Sequence, residues 1–240
     1  CMGSELRFKA VIWDVDGTLA FTTALGFSAT NAVLTGDGYP EISENEYQTG
    51  TRYTTPQRLA WHATGGLEGG DPSASVGESL GAKFDEYYCK LVSPQTAGFF
   101  PGLVELCDEV AASACAQAAV SNACGEYVRA VLATNQVSNG FSIQLGADEV
   151  PAPKPAPDGL LMCCEALGLE PSQVVYIGDS PSDGVAAKAA GMHAVGVSWG
   201  SHSGEEWSKQ FHIVVETVEE LRAEIGLPPA HIDPEVAKQY

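Results

Sequence analysis

Apolar residues along this chain fall into two rhythms. Short, nearly unbroken runs occupy 8–14, 116–121, 173–179 and 193–198, and the first three end on Asp14, Ser121 and Asp179. Runs of that length without alternation predict strands buried on both faces, as in a parallel sheet. Between them the apolar positions change to helical spacing: Leu103, Leu106 and Val110 within 102–114, then Tyr127, Val128, Val131 and Leu132 within 125–134. Leu160, Leu161, Cys164 and Leu167 form a stripe over 157–168, and the alanine-rich stretch 182–190 stops at Gly191. Strands alternating with helices predict a doubly wound parallel α/β sheet. Right-handed crossovers would bring the carboxyl ends of all its strands to one edge, where ligands bind such sheets.

Residues 22–97 break the alternation. Helical patterns at 24–35, 55–63 and 78–92 are separated by turn-rich pieces, Thr35-Gly36-Asp37-Gly38 and the run from Gly65 to Pro72, with no buried strand between them. The expected organisation is an α/β core from 5–21 and 98–227, with a small helical unit inserted over 22–97. Pro228, Pro229 and Pro234 predict an extended tail over 228–240.

Length adds that 240 residues hold one large core and a smaller unit. A 45% hydrophobic fraction supports a packed interior and excludes disorder. Twelve basic against 31 acidic residues leave a net charge of −19, which repels nucleic-acid backbones and anionic membrane surfaces. No apolar run is long enough to span a bilayer, and no secretory leader is expected from Cys1-Met2-Gly3-Ser4. Seven cysteines without a CxxC pair predict reduced thiols in a soluble intracellular protein, with neither a disulfide frame nor a zinc site.

The candidate chemistry lies where apolar runs end. Asp14-Val15-Asp16-Gly17-Thr18 closes the first, Ser121-Asn122 the second, and Gly178-Asp179-Ser180-Pro181-Ser182-Asp183 another, while Lys154 sits between Pro153 and Pro155 before a helix. Alone, the first is equally well an ordinary Asx turn. Together, Asp14, Asp16, Asp179 and Asp183 in one cleft would repel one another unless a cation sat among them. An oxygen donor set with open water positions suits Mg²⁺. Lys154 and Ser121 then offer the point charge and the hydroxyl that a phosphoryl group requires.

This ordered set of four motifs resembles the haloacid dehalogenase superfamily over nearly the whole chain. The resemblance implies a Rossmann-like core with the 22–97 insert as a helical cap. It also implies phosphoryl transfer to Asp14, with Asp16 protonating the leaving oxygen and then activating water. Mg²⁺ would be held by the Asp14 side chain, the Asp16 main-chain carbonyl and Asp179, with Asp183 close by or acting through water. Ser121, Asn122 and Lys154 would bind phosphate. An aspartate at position 16 favours a phosphatase over a dehalogenase, because a departing halide needs no proton. Gly146-Ala147-Asp148-Glu149-Val150, the segment Pro153–Asp158 and Gly196-Val197-Ser198-Trp199-Gly200 are similar to the phosphoglycolate-phosphatase branch. Phe21-Thr22-Thr23 departs from it by lacking an acid-serine pair. The expected activity is therefore Mg²⁺-dependent hydrolysis of a small phosphomonoester, 2-phosphoglycolate foremost. A phosphosugar mutase and a silent regulatory module are the alternatives.

In the insert, the turn Thr49-Gly50-Thr51-Arg52-Tyr53 makes Arg52 the candidate reader of the distal part of a substrate, with Arg58 and Lys83 as weaker rivals. A solvated Arg52 is as good a reading of the same residues. His62 and His202 are expected to be structural, and Trp13, Trp61, Trp199 and Trp207 to serve packing.

Overall fold

The structure, a computed structural model, describes residues 6–229. Cys1 and the part of the expected tail from residue 230 onward lie outside them.

Six parallel strands form one sheet: β1 (Ala10–Trp13), β2 (Ala116–Val120), β3 (Ile143–Leu145), β4 (Val174–Gly178), β5 (His193–Val197) and β6 (Ile213–Val215), in the order β3-β2-β1-β4-β5-β6. The helices are α1 (Thr23–Gly36), α2 (Glu44–Gly50), α3 (Thr55–Ala63), α4 (Val76–Lys90), α5 (Leu103–Ala111), α6 (Gly125–Thr134), α7 (Asp158–Leu167), α8 (Pro181–Ala190), α9 (Glu205–Ser208) and α10 (Val218–Ile225). This is a Rossmann-like α/β core. β1 lies between β2 and β4, paired with both along its whole length.

Side-chain alternation along β1 divides the interior in two. Val11 and Trp13 join a cluster with Leu103 and Leu106 of α5, Tyr127 and Val131 of α6, and Leu221 of α10. Ala10 and Ile12 face the other way, onto Leu160 and Cys163 of α7 and Ala186 and Ala187 of α8. With both faces covered, the strands carry continuous apolar runs. Strand order grows in one direction from β1 to β3 and then restarts at β4 on the opposite side, so the crevice of this sheet opens above β1 and β4.

Residues 22–97 contribute α1 to α4, with no strand among the described residues. Leu34, Leu59, Leu80 and Phe84 are buried where these helices meet. β3 and β6, three residues each, were not anticipated from the sequence, nor were α2, α9 and α10. No helix among the described residues is long and apolar enough to cross a membrane. The six described cysteines are free thiols, and the Sγ atoms of Cys89 and Cys124 lie 3.8 Å apart.

Candidate active site

The strand ends deliver the polar residues to one cleft. Asp14 follows β1, its N–H donating to Ile177 O of β4 at 2.9 Å, so the main-chain ladder runs on to the residue that carries the carboxylate. Gly17 then turns the chain at φ +77°, and a Cβ there would come within 2.4 Å of Asp179 Oδ2, so only glycine permits this approach. Asp179 follows β4. Its carboxylate accepts from the Ser201 N–H at 2.6 Å, and its carbonyl accepts from Trp207 Nε1 at 2.5 Å. Asp183 stands in the first turn of α8, where Ser180 N and Oγ donate to its Oδ2 at 2.9 and 2.7 Å in a capping box.

Lys154 ties the acids together. Its buried Nζ lies 2.6 Å from Asp14 Oδ1, 2.7 Å from Asp183 Oδ1, 2.9 Å from the Tyr176 hydroxyl and 3.1 Å from Val120 O. Asn122, expected on the phosphate, lines the cleft and also holds the main chain of this lysine. Its amide donates to Lys154 O and its carbonyl accepts from Lys154 N, both at 2.9 Å. Ser121 lines the cleft, its Oγ 3.4 Å from Asp16 Oδ2.

Burial above all, and then the neighbouring charge of Asp183, pushes the Asp14 carboxyl well above the usual carboxylate range, while Lys154 pulls it down. Asp179 is also raised, by burial and Asp183, against the opposing pull of His202 and the Ser201 N–H. Burial would raise Asp183 too, but Lys154 and Ser180 outweigh it and leave it below its ordinary value. Burial works against the Lys154 charge, yet Asp14 and Asp183 hold the ammonium above its usual range.

Ligand atoms of Asp14, Asp179 and Asp183 lie within 4.8 Å of one another, all three residues buried, with one lysine among three acids. This donor set fits a hard divalent cation such as Mg²⁺. Both oxygens of Asp183 are already committed, one to Lys154 and Tyr176 and the other to Ser180. Asp14 is engaged in the same way, its Oδ1 by Lys154 at 2.6 Å and its Oδ2 by the Thr18 hydroxyl at 3.2 Å, while Asp179 accepts from the Ser201 N–H.

Several neighbours were invisible from sequence spacing. Asp16 Oδ1 accepts from Tyr127 at 2.6 Å, Thr22 at 2.6 Å and Tyr88 at 3.3 Å. Tyr127 comes from α6 and Tyr88 from α4, their rings stacked 4.2 Å apart, so core and insert both reach Asp16. His202, taken as structural, lines the cleft with Nδ1 3.7 Å from Asp179 Oδ2, an ion-pair distance beyond hydrogen-bond reach. Burial opposes its protonation, but Asp179 prevails and raises its pKa. Trp199 and Trp207 do more than pack, donating to the carbonyls of Thr18 and Asp179.

Arg52 is the expectation that the geometry does not support. It is exposed, its guanidinium lies 4.8 Å from the Tyr53 ring centre and 5.7 Å from that of Trp61, and it is not among the residues lining the cleft. Its Nη2 donates to the Tyr53 hydroxyl at 3.1 Å, and Tyr53 does line the cleft. Arg58, one helical stretch later, lines the cleft instead. Lys83 is exposed and paired with Asp37.

The family model for haloacid dehalogenase-like hydrolases matches residues 11–197 of this chain. Among curated proteins, the phosphoglycolate phosphatase of Escherichia coli K12 is 28% identical over 238 residues, covering 92% of this chain and 93% of its own. That of Pectobacterium atrosepticum is 27% identical, with 96% and 97% covered. Among solved structures, CbbY from Rhodobacter sphaeroides in complex with phosphate superposes with a TM-score of 0.79 at 22% identity, over 92% of this chain and all of the other, a likeness of fold.

Proposed function

Because this chain belongs to the haloacid dehalogenase-like hydrolase family, whose phosphatases are phosphoric monoester hydrolases, we propose that it hydrolyses a small phosphomonoester with Mg²⁺, 2-phosphoglycolate foremost, through a phosphorylated Asp14. The observation that carries this reading is the buried Asp14–Lys154–Asp183 bridge, with Asp179 beside it, at the carboxyl edge of the sheet.

The steps follow from the chain's own groups. Asp14 attacks phosphorus through the oxygen that Lys154 does not fully occupy, and splits one slow hydrolysis into two displacements. Asp16, held by Thr22 and Tyr127, gives its proton to the departing ester oxygen and takes one from the water that attacks the acyl phosphate. Ser121 and Lys154 receive the phosphoryl oxygens, whose charge must be neutralised for transfer. Asp14 and Asp179, with the Asp16 main-chain carbonyl, would hold Mg²⁺, which when bound supplies charge neutralisation for the phosphoryl group and the acid cluster. The helices of 22–97 act as a cap, excluding water and reading the remainder of the substrate.

The 28% identity to curated phosphoglycolate phosphatases favours 2-phosphoglycolate as first candidate. The test is release of phosphate from a panel of purified phosphometabolites and an aryl phosphate, with Mg²⁺ and with chelator. Release that requires Mg²⁺ and is fastest with 2-phosphoglycolate is expected. Return of the phosphoryl group to a sugar product would move the assignment to a mutase. No turnover of any ester would leave a silent module.

A further inference from the structure

Two tyrosines lie buried in the apolar interior where core and insert meet. Tyr127, on α6, is wholly shielded, and Tyr88, on α4, is 5% exposed. Their rings stack 4.2 Å apart within the cluster that holds Val128, Leu132 and Phe84. A hydroxyl sunk into such surroundings costs free energy unless it finds a partner, so apolar packing alone does not call for either phenol. The two hydroxyls are 3.0 Å apart, and both reach Asp16. Thr22 does the same: it stands at the N-cap of α1, yet its hydroxyl donates to Asp16 and not to the helix.

All three hydroxyls converge on one oxygen. A carboxylate oxygen offers two lone pairs, and Asp16 Oδ1 receives Tyr127 and Thr22 at 2.6 Å each, with Tyr88 at a looser 3.3 Å. Oδ1 is thereby saturated. Oδ2 meets the Ser121 hydroxyl at 3.4 Å, near the limit of a hydrogen bond, and Ser121 lines the cleft. The two oxygens of one carboxyl group are therefore unequal. One is fixed by hydroxyls from α4, α6 and the start of α1, and the other stands beside the group proposed to bind phosphate.

We propose that Tyr127, assisted by Tyr88 from the insert, is a positioning residue for Asp16, fixing Oδ1 so that Oδ2 is the oxygen that exchanges protons with the reactants. This rests on the hydrolase reading above and adds two residues and one reacting atom to it. In the first displacement the bond from Asp14 to phosphorus forms as the bond to the ester oxygen breaks, and the Oδ2 proton goes to that oxygen. In the second, water oxygen bonds to phosphorus, the Asp14–phosphorus bond breaks, and Oδ2 takes the proton that water gives up. Neither phenol gains or loses a proton. One oxygen serves both displacements, so it must return to the same place, which the tied Oδ1 ensures.

Tyr127→Phe keeps the ring and its stack and removes only the hydroxyl. The readout is kcat/KM with Mg²⁺ for esters whose leaving oxygen is progressively harder to expel: 4-nitrophenyl phosphate, phenyl phosphate and 2-phosphoglycolate. Nitrophenolate departs without a proton, so its value should change by less than about threefold. For 2-phosphoglycolate it should fall roughly 10–100-fold, a part of the 10²–10⁴ that a positioned acid supplies, with phenyl phosphate between. Tyr88→Phe, which loses the looser contact, should show the same trend at smaller size, and it carries the comparison if Tyr127→Phe does not fold. In Asp16→Asn, adding Tyr127→Phe should cost nothing further, because the phenol acts only through that carboxyl. Equal losses on every ester, an undiminished value for 2-phosphoglycolate, or an added loss in Asp16→Asn would return both tyrosines to packing and leave the hydrolase intact. Turnover of none of the esters by the wild-type protein would overturn the hydrolase reading as well.

Discussion

Replacing Lys154 by methionine keeps the length of the side chain and removes its charge. Among the described residues that charge is the only cation bridging Asp14 and Asp183, at 2.6 and 2.7 Å, with all three side chains buried. Breaking one partner out of a buried ion pair typically costs about 3–5 kcal/mol, because the remaining charge has no water to turn to. For a protein of this size that corresponds to a Tm roughly 6–20 °C lower. The loss should be greatest with chelator present and smaller with Mg²⁺, which can neutralise the same carboxylates. Lys154→Met combined with Asp183→Asn removes the acid together with its partner, so the double variant should recover much of the stability lost by the single one. Turnover should not recover, since the phosphoryl group still lacks its cation. Thermal melts of the four proteins in the cycle, with and without Mg²⁺, together with phosphate release, separate the two effects. A Lys154→Met protein as stable in chelator as the wild type would refute the bridge as the holder of the cluster. One with normal turnover would refute its place in the reaction.

Other consequences are accessible to simpler measurements. Asp14→Asn should fold normally yet lose roughly three orders of magnitude or more in turnover, with no acid-stable phosphate label trapped on the protein; normal turnover would remove Asp14 as nucleophile. Gly200→Ala places a Cβ 2.3 Å from Asp179 Cβ, so Asp179 must shift, and kcat should drop about 100-fold with little change in far-UV CD; an unaffected kcat would mean Asp179 tolerates displacement. His62 is buried without a hydrogen-bond partner on either ring nitrogen, and burial, with Arg58 nearby, lowers its pKa to about 4, against the weaker pull of Glu46. The unfolded chain then binds the proton first, so this contribution to stability is present above about pH 6.5 and lost as pH falls toward 4, by roughly 1–2 kcal/mol after solvent screening. His62→Leu should flatten denaturant midpoints over that window, and an unchanged slope would place the titration elsewhere.

The core and its site were legible because each motif is local. Asp14, Ser121 and Asp179 announce themselves at the ends of apolar runs, and right-handed crossovers between those runs put their carboxyl ends on one edge. β3 and β6 escaped notice because three half-buried edge residues, such as Ile143-Gln144-Leu145, make no run. α2 is polar apart from Tyr47, yet the Ser43–Glu46 capping box was a signal that spacing rules recognise. Tyr88 and Tyr127 could not be read at all. They are 39 residues apart on helices of different units, and their shared contact with Asp16 exists only after packing. The different placement of Arg52 and Arg58 has a similar origin. Arg52 stays exposed in its turn, whereas Arg58 is buried within the run Arg58–His62 of α3, a difference that only the packing of the helices creates.

The place of β1 carries a dynamic consequence. Its four residues are wholly shielded and bonded to a neighbouring strand on each side, so its amides can exchange with solvent only when the entire sheet opens. In deuterium exchange, the Ala10–Asp14 amides should be among the slowest in the chain, whereas the amides of α2, a seven-residue polar helix, should open by local fluctuation. Equal rates in the two segments would contradict this. Such a gradient lets the insert breathe around incoming molecules while the backbone bearing Asp14 stays anchored to the most persistent part of the fold.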